Sequence, residues 1–131
     1  MEKTRILVVD DEQEICDVTR NFLAKRDYEV FTALNVQQAI DSLQKDKPHI
    51  LLLDVRLGSE SGMDILRKAK ELDKNTKVIM VTALDDEETI RQSKSLGADD
   101  YITKPFTVDF LRDFVLQKIT RLSRQMEAKN G

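Results

Sequence analysis

The sequence predicts an α/β domain built on a doubly wound, five-stranded parallel sheet with five helices. Three features carry that expectation. Short aliphatic blocks recur about every two dozen residues, the spacing of β–α units rather than of hairpins. The blocks Ile6–Val9, Ile50–Leu53 and Val78–Val81 show no polar alternation, as strands do when helices cover both faces of a parallel sheet. Helix-length segments separate the blocks, which implies right-handed crossovers between neighbouring strands.

Each element follows in turn. Ile6–Val9 opens the sheet, and the helix after it carries Ile15, Val18 and Phe22 at helical spacing, a single apolar stripe. Val30–Ala33 is the second strand. Asn35 is placed to cap the second helix, whose buried side would hold Val36, Ala39, Ile40 and Leu43. The third strand, Ile50–Leu53, is preceded by His49, which beside Pro48 reads as a surface loop residue. The third helix carries Met63, Leu66 and Ala69 and runs out near Asn75. After Val78–Val81 the fourth helix opens with Asp85-Asp86-Glu87-Glu88, acids in a first turn where the helix dipole favours them. It closes at Leu96-Gly97, with Gly97 as a left-handed stop. Asp100–Ile102 is the fifth strand, and the last helix runs from Thr107 to about Met126.

Composition removes several functions. The chain has 131 residues, with 21 Lys+Arg against 24 Asp+Glu for a net charge of −3. That length suits one domain, and a negative balance offers no general footprint for nucleic acid. No window reaches the roughly 18 uninterrupted apolar residues of a membrane span. Met1-Glu2-Lys3-Thr4 leads straight into a strand and is no signal peptide. One cysteine, Cys16, excludes an internal disulfide and suits a reducing, cytoplasmic location. One His and one Cys argue against a structural zinc site and against a Ser-His-Asp hydrolase.

In doubly wound sheets ligands bind beyond the carboxyl ends of the strands. Asp10 and Asp11 follow the first strand, Asp54 the third, Thr82 the fourth, and Lys104-Pro105 the fifth. Each residue alone reads as a turn, cap or surface group; their joint placement is the signal. Two unit charges about 5 Å apart repel by roughly 3 kcal/mol at an effective dielectric of 20. Three such carboxylates must protonate in part or hold a cation. All-oxygen ligands point to Mg²⁺ or a similar ion such as Mn²⁺. With a hydroxyl and an ammonium added, the rim suits a phosphoryl group. Asp54, alone at the end of a central strand, is the candidate nucleophile for an aspartyl phosphate.

These residues resemble the receiver domains of two-component response regulators, the CheY-like family. The segments that carry the likeness are Ile6-Leu7-Val8-Val9-Asp10-Asp11-Glu12, Ile50-Leu51-Leu52-Leu53-Asp54-Val55-Arg56-Leu57 and Gly62-Met63. They continue with Val78-Ile79-Met80-Val81-Thr82-Ala83 and Gly97-Ala98-Asp99-Asp100-Tyr101-Ile102-Thr103-Lys104-Pro105-Phe106. The likeness covers residues 4 to 124, which leaves 125–131 as a tail or the start of a helical linker.

The resemblance implies a flavodoxin-like receiver fold of strand order 2-1-3-4-5. It implies that Asp54 takes a phosphoryl group from a sensor histidine kinase or a histidine phosphotransfer protein. Asp11 and, mainly through water, Asp10 would hold Mg²⁺ together with Asp54 and the backbone carbonyl of Arg56. Thr82 and Lys104 would sense the phosphoryl group, and Tyr101 would change rotamer as Thr82 moves. The Lys104–Pro105 peptide would be cis. Such a protein is a signalling switch and not a conventional enzyme; it catalyses only its own phosphorylation and dephosphorylation. Its output would run through the surface of helix four, strand five and helix five, to a partner, an output domain or a second copy.

Two departures from the family pattern stand out. Gly58 replaces the usual proline four residues after the acceptor, which would loosen that loop. Arg56 and Leu84 occupy the variable positions beside the phosphoryl group, where long side chains would impede water and lengthen its lifetime. In the last helix, Leu111, Val115, Ile119 (or Lys118), Leu122 and Met126 approach a heptad seam, which raises dimerisation or a helical linker; ordinary sheet packing is the plainer reading.

Competing functions are a haloacid-dehalogenase-like phosphatase, a receiver-like module that is never phosphorylated, and a flavodoxin-like cofactor binder. The first needs its nucleophile after strand one and an acid two residues on, where Arg56 stands. The last would set three acids against a flavin phosphate. No DNA-binding module is visible in the segment.

Overall fold

Residues 3–83, 87–104, 109, 113 and 115–130 are described by the structure, a computed structural model. Five strands form one parallel sheet: β1 (Arg5–Val9), β2 (Glu29–Ala33), β3 (Ile50–Asp54), β4 (Lys77–Ala83) and β5 (Asp100–Lys104). Their order is β2-β1-β3-β4-β5, as expected. Among the described residues the helices are α1 (Gln13–Ala24), α2 (Val36–Lys45), α3 (Gly62–Leu72), α4 (Glu87–Ser95) and α5 (Leu116–Asn130).

Two apolar layers explain the unbroken aliphatic strands. Leu7, Val9, Leu51, Leu53, Val78 and Met80 point to one face and pack with Ala39 and Leu43 of α2 and Ile65, Leu66 and Ala69 of α3. Ile6, Val8, Ile50, Leu52, Ile79, Val81 and Ile102 point to the other, against Cys16 and Leu23 of α1 and Ile119 and Leu122 of α5. Strands buried on both faces have no room for polar alternation.

The helix ends follow local chemistry. Asn35 caps α2 by accepting the Gln38 N–H at 2.9 Å, and Ser61 caps α3 by accepting the Met63 N–H at 3.2 Å. Gly97 takes φ +99 just past α4, the left-handed stop read from the sequence. The third helix ends at Leu72, earlier than Asn75, because Asp73 leaves the helical conformation and its carboxylate accepts the Asn75 N–H. Glu87 and Glu88 do lie in the first turn of α4; Asp85 and Asp86 lie outside the described residues.

Two expectations, for α1 and for His49, need correction, and the plainer reading of the last helix as sheet packing holds. The buried face of α1 is Cys16, Thr19 and Leu23, while Val18 is 43% exposed. The stripe is rotated by about one residue because the small Cys and Thr side chains fit closest to the sheet. The heptad-like row of the last helix is no free seam: Val115, Ile119 and Leu122 are buried in the chain's own core, with Met126 packed against it. Leu111 lies outside the described residues. His49 is half-buried rather than a loose surface group, since its Nδ1 accepts the Arg5 N–H at 2.9 Å.

Candidate functional site at the carboxyl rim of the sheet

Parity along the strands sets the face from which each site residue reaches the rim. Asp10 and Asp54 continue the rows of Ile6 and Val8 and of Ile50 and Leu52, and Lys104 continues that of Ile102. All three therefore share the α1/α5 side. Lys104 Nζ lies 2.8 Å from Asp10 Oδ2 and 2.6 Å from Asp54 Oδ2, bridging the two carboxylates. Asp10 is 3% and Asp54 6% exposed, while Asp11 is exposed. One carboxylate oxygen from each of Asp10, Asp11 and Asp54 falls within 4.8 Å of the others.

Backbone donors fix the rest of the carboxylate oxygens. Asp10 Oδ1 accepts the Glu12 N–H at 2.9 Å at the start of α1, and Asp54 Oδ1 accepts the Arg56 N–H at 3.1 Å. Asp10 thus serves the helix and the site at once, one oxygen for each. Beneath it, the Cys16 thiol donates to the Asp10 carbonyl at 3.4 Å. Burial, with the Asp10 charge adding to it, pushes that thiol up to about 11, so it stays protonated.

Electrostatics at the rim are a contest between burial and pairing. Burial drives the Asp54 pKa above the ordinary carboxylate value, and the Lys104 hydrogen bond opposes this without cancelling it. Burial works against charge on Lys104 as well, but its hydrogen bonds to Asp10 and Asp54 outweigh that and raise its pKa. Among the described residues the site therefore holds one resident cation, Lys104, for three acids. An all-oxygen, partly desolvated cluster of this kind fits a hard divalent cation.

Thr82 and Tyr101 belong to the opposite face. Thr82 continues the row of Val78 and Met80, and in the register of β4 with β5 Tyr101 pairs with Met80 and Thr82 with Thr103. Thr82 is buried, whereas Tyr101 is 38% exposed. Arg56 has an exposed side chain. Leu84, assigned a lifetime role, and Pro105, of the expected cis peptide, lie outside the described residues.

The loop after the acceptor is more ordered than Gly58 alone suggests. Arg56–Leu57 pairs antiparallel with Glu60–Ser61, and Gly58 supplies φ +65 at the turn. Gly62 matters more: a Cβ there would sit 2.1 Å from the Asp54 carbonyl oxygen. Nothing in the spacing of the chain marks Gly62 as lying against Asp54.

Two ionic groups away from the site were not foreseen. Lys70 reaches Asp99 at 3.0 Å, with Lys77 at 3.8 Å, and joins α3 to the start of β5. Lys118 and Arg121 of α5 hold Asp100 at 3.0 and 2.7 Å. Both involve residues some 18 to 29 positions apart, with no local pattern to betray them.

Residues 6–116 match the response regulator receiver domain family. The chain is 37% identical over 115 residues to sporulation initiation phosphotransferase F of Bacillus subtilis (strain 168), covering 88% of this chain and 93% of that protein. Among solved structures it resembles a CheY-like response regulator receiver domain protein from Methanospirillum hungatei JF-1, at TM-score 0.83 and 31% identity over 95% of this chain and 99% of that one. NtrX from Brucella abortus gives TM-score 0.84 at 27% identity, over 98% of this chain but 29% of the NtrX chain. The chain belongs to the response regulator receiver domains, the signalling switches of two-component systems. The phosphatase reading fails on the placement of Asp54 at the end of β3, with Arg56 where an acid is needed. No described helix is long and apolar enough to cross a membrane.

Proposed function

We propose that Asp54 is the phosphoacceptor, and that it draws on a histidine kinase or a histidine phosphotransfer protein of the cytoplasm. The observation that carries this reading is the Lys104 ammonium bridging Asp54 and Asp10 at the carboxyl rim. A carboxylate oxygen of Asp54 forms the new O–P bond as the N–P bond of the donor phosphohistidine breaks, and the imidazole leaves with the electron pair. Lys104 stands ready to offset the phosphoryl charge, because its ammonium is already held against the acceptor. Partial desolvation strengthens that interaction relative to water.

Asp10, Asp11, Asp54 and the backbone carbonyl of Arg56 would hold Mg²⁺ or Mn²⁺. When bound, the ion supplies positive charge to the carboxylates and the incoming phosphoryl oxygens. The Glu12 and Arg56 N–H groups meanwhile keep Asp10 and Asp54 oriented.

The switch is then local electrostatics with a packing readout. A phosphoryl group adds about −1.5 to −2 charges and new acceptor oxygens. The Thr82 hydroxyl turns to donate to them, and Tyr101, on the same face of the sheet, turns inward. The surface of α4, β5 and α5 changes with it and controls a partner, an output domain or pairing with a second copy. Arg56 and Leu84 lengthen the phosphoryl lifetime by obstructing water. Residues 1–124 act as the receiver, and 125–131 as tail or linker; α5 runs across that boundary to Asn130. Nucleic acid is not contacted by this segment.

Transfer from a radiolabelled phosphohistidine protein tests the reading. Label should leave the donor and appear on wild type but not on Asp54→Ala. Label retained by the donor in both cases would overturn it.

A further inference from the structure

We propose that Lys94 is a positioning residue of the switch, its ammonium holding the Tyr101 ring in the outward position from which the ring must turn. The inference rests on the reading of Tyr101 given above and goes beyond it by naming what resists the turn. Lys94 Nζ stands 5.3 Å from the centroid of the Tyr101 ring, within cation–π range. Among the described residues Lys94 is the cation set over this ring, and Tyr101 is 38% exposed although its strand neighbour Ile102 is buried.

The backbone at this position is fixed separately. The Tyr101 N–H donates to Asp100 Oδ1 at 2.8 Å, and Lys118 and Arg121 of α5 hold the other oxygen of Asp100. Main chain and ring are thus tied to different helices, the first to α5 and the second to α4. A ring turned toward Thr82 keeps its backbone anchor and gives up Lys94. An exposed cation–π contact is worth enough to bias such an equilibrium roughly two- to fivefold. Lys94 also sits in the last turn of α4, where any cation is favoured. The test must therefore separate its effect on the ring from its effect on the helix.

The chain has two tyrosines and no tryptophan, so Tyr28→Phe leaves Tyr101 as the only tyrosine signal. In that background, the Tyr101 side-chain rotamer is measured by NMR in metal-free protein. Beryllofluoride, a stand-in for the phosphoryl group, is then titrated with Mg²⁺. Lys94→Met should mix inward rotamers into the metal-free ensemble and tighten beryllofluoride binding about two- to fivefold. Lys94→Arg should restore both properties, and the gain in binding should vanish when Tyr101 is replaced by leucine. An unchanged rotamer in Lys94→Met, or an equal gain in the Tyr101→Leu background, would overturn the proposal. If wild type bound no beryllofluoride, the acceptor reading would fall, while the rotamer comparison would still decide the role of Lys94.

Discussion

Gly62 stands directly against the backbone of Asp54: a methyl group at Gly62 would lie 2.1 Å from the Asp54 carbonyl oxygen. The Gly62 N–H also donates to the Val55 carbonyl at 2.7 Å, so the start of α3 is pressed onto the end of β3. Gly62→Ala must push one backbone away from the other. It should cost about 1–3 kcal/mol in chemical denaturation and slow phosphorylation, because Asp54 is displaced. Wild-type stability in that variant would show that the two segments separate freely.

Asp54 itself lowers the stability of the metal-free protein. Its folded-state pKa is raised by burial, only partly offset by Lys104. The penalty is therefore absent below the unfolded-state pKa and complete once pH has risen through the folded-state pKa. At neutral pH Asp54→Asn should stabilise the protein by on the order of 1 kcal/mol, a rise of about 3–6 °C in Tm. At the acid end the difference should close. Addition of Mg²⁺ should raise the Tm of wild type more than that of Asp54→Asn, which calorimetry would read directly.

Lys104 should act as the internal rival of the metal. Its raised pKa means that it stabilises the fold below the ordinary lysine value and loses that contribution as pH rises through the folded-state value. Lys104→Ala leaves two buried carboxylates facing one another without their ammonium. Metal-free stability at pH 7 should fall by about 2 kcal/mol or more, and Mg²⁺ affinity should rise. Isothermal titration showing weaker Mg²⁺ binding in the variant would contradict this rivalry.

Asp100 ties α5 to β5. Burial raises its pKa, but hydrogen bonds from Lys118, the Tyr101 N–H and Arg121 outweigh it and leave the value low. The clamp contributes above the unfolded-state pKa and is lost as pH falls through the folded-state value. Arg121 is half exposed, so screening limits the effect. Asp100→Asn should cost about 1 kcal/mol at pH 7 and progressively less as pH falls through the folded-state value, and hydrogen exchange should quicken in α5. Equal exchange rates would mean that the buried apolar residues alone hold that helix.

Most of the sheet could be read from the chain because burial on both faces leaves an unambiguous aliphatic run. The rim was legible for a related reason: each polar group lies at or just past the carboxyl end of a strand, so position along the chain gives position in space. The strands β3, β4 and β5 run on to Asp54, Ala83 and Lys104 rather than stopping short of them. Helix faces were harder. Ile15, Val18 and Phe22 outrank Cys16 and Thr19 in hydropathy, yet it is the smaller pair that fits against the sheet. The row through Val115, Ile119 and Leu122 has spacing that suits both a seam between chains and sheet packing, and the structure spends it on the chain's own core. The close approach at Gly62 and the clamps on Asp99 and Asp100 are long-range, and one-dimensional spacing carries no trace of them.

The central claim is tested most directly by intact mass after incubation with acetyl phosphate, with and without Mg²⁺, on wild type and Asp54→Ala. The account predicts one added phosphoryl group on wild type, only with the metal present, and none on the variant. An adduct of the same mass on Asp54→Ala, or one on wild type that forms equally well without Mg²⁺, would contradict it.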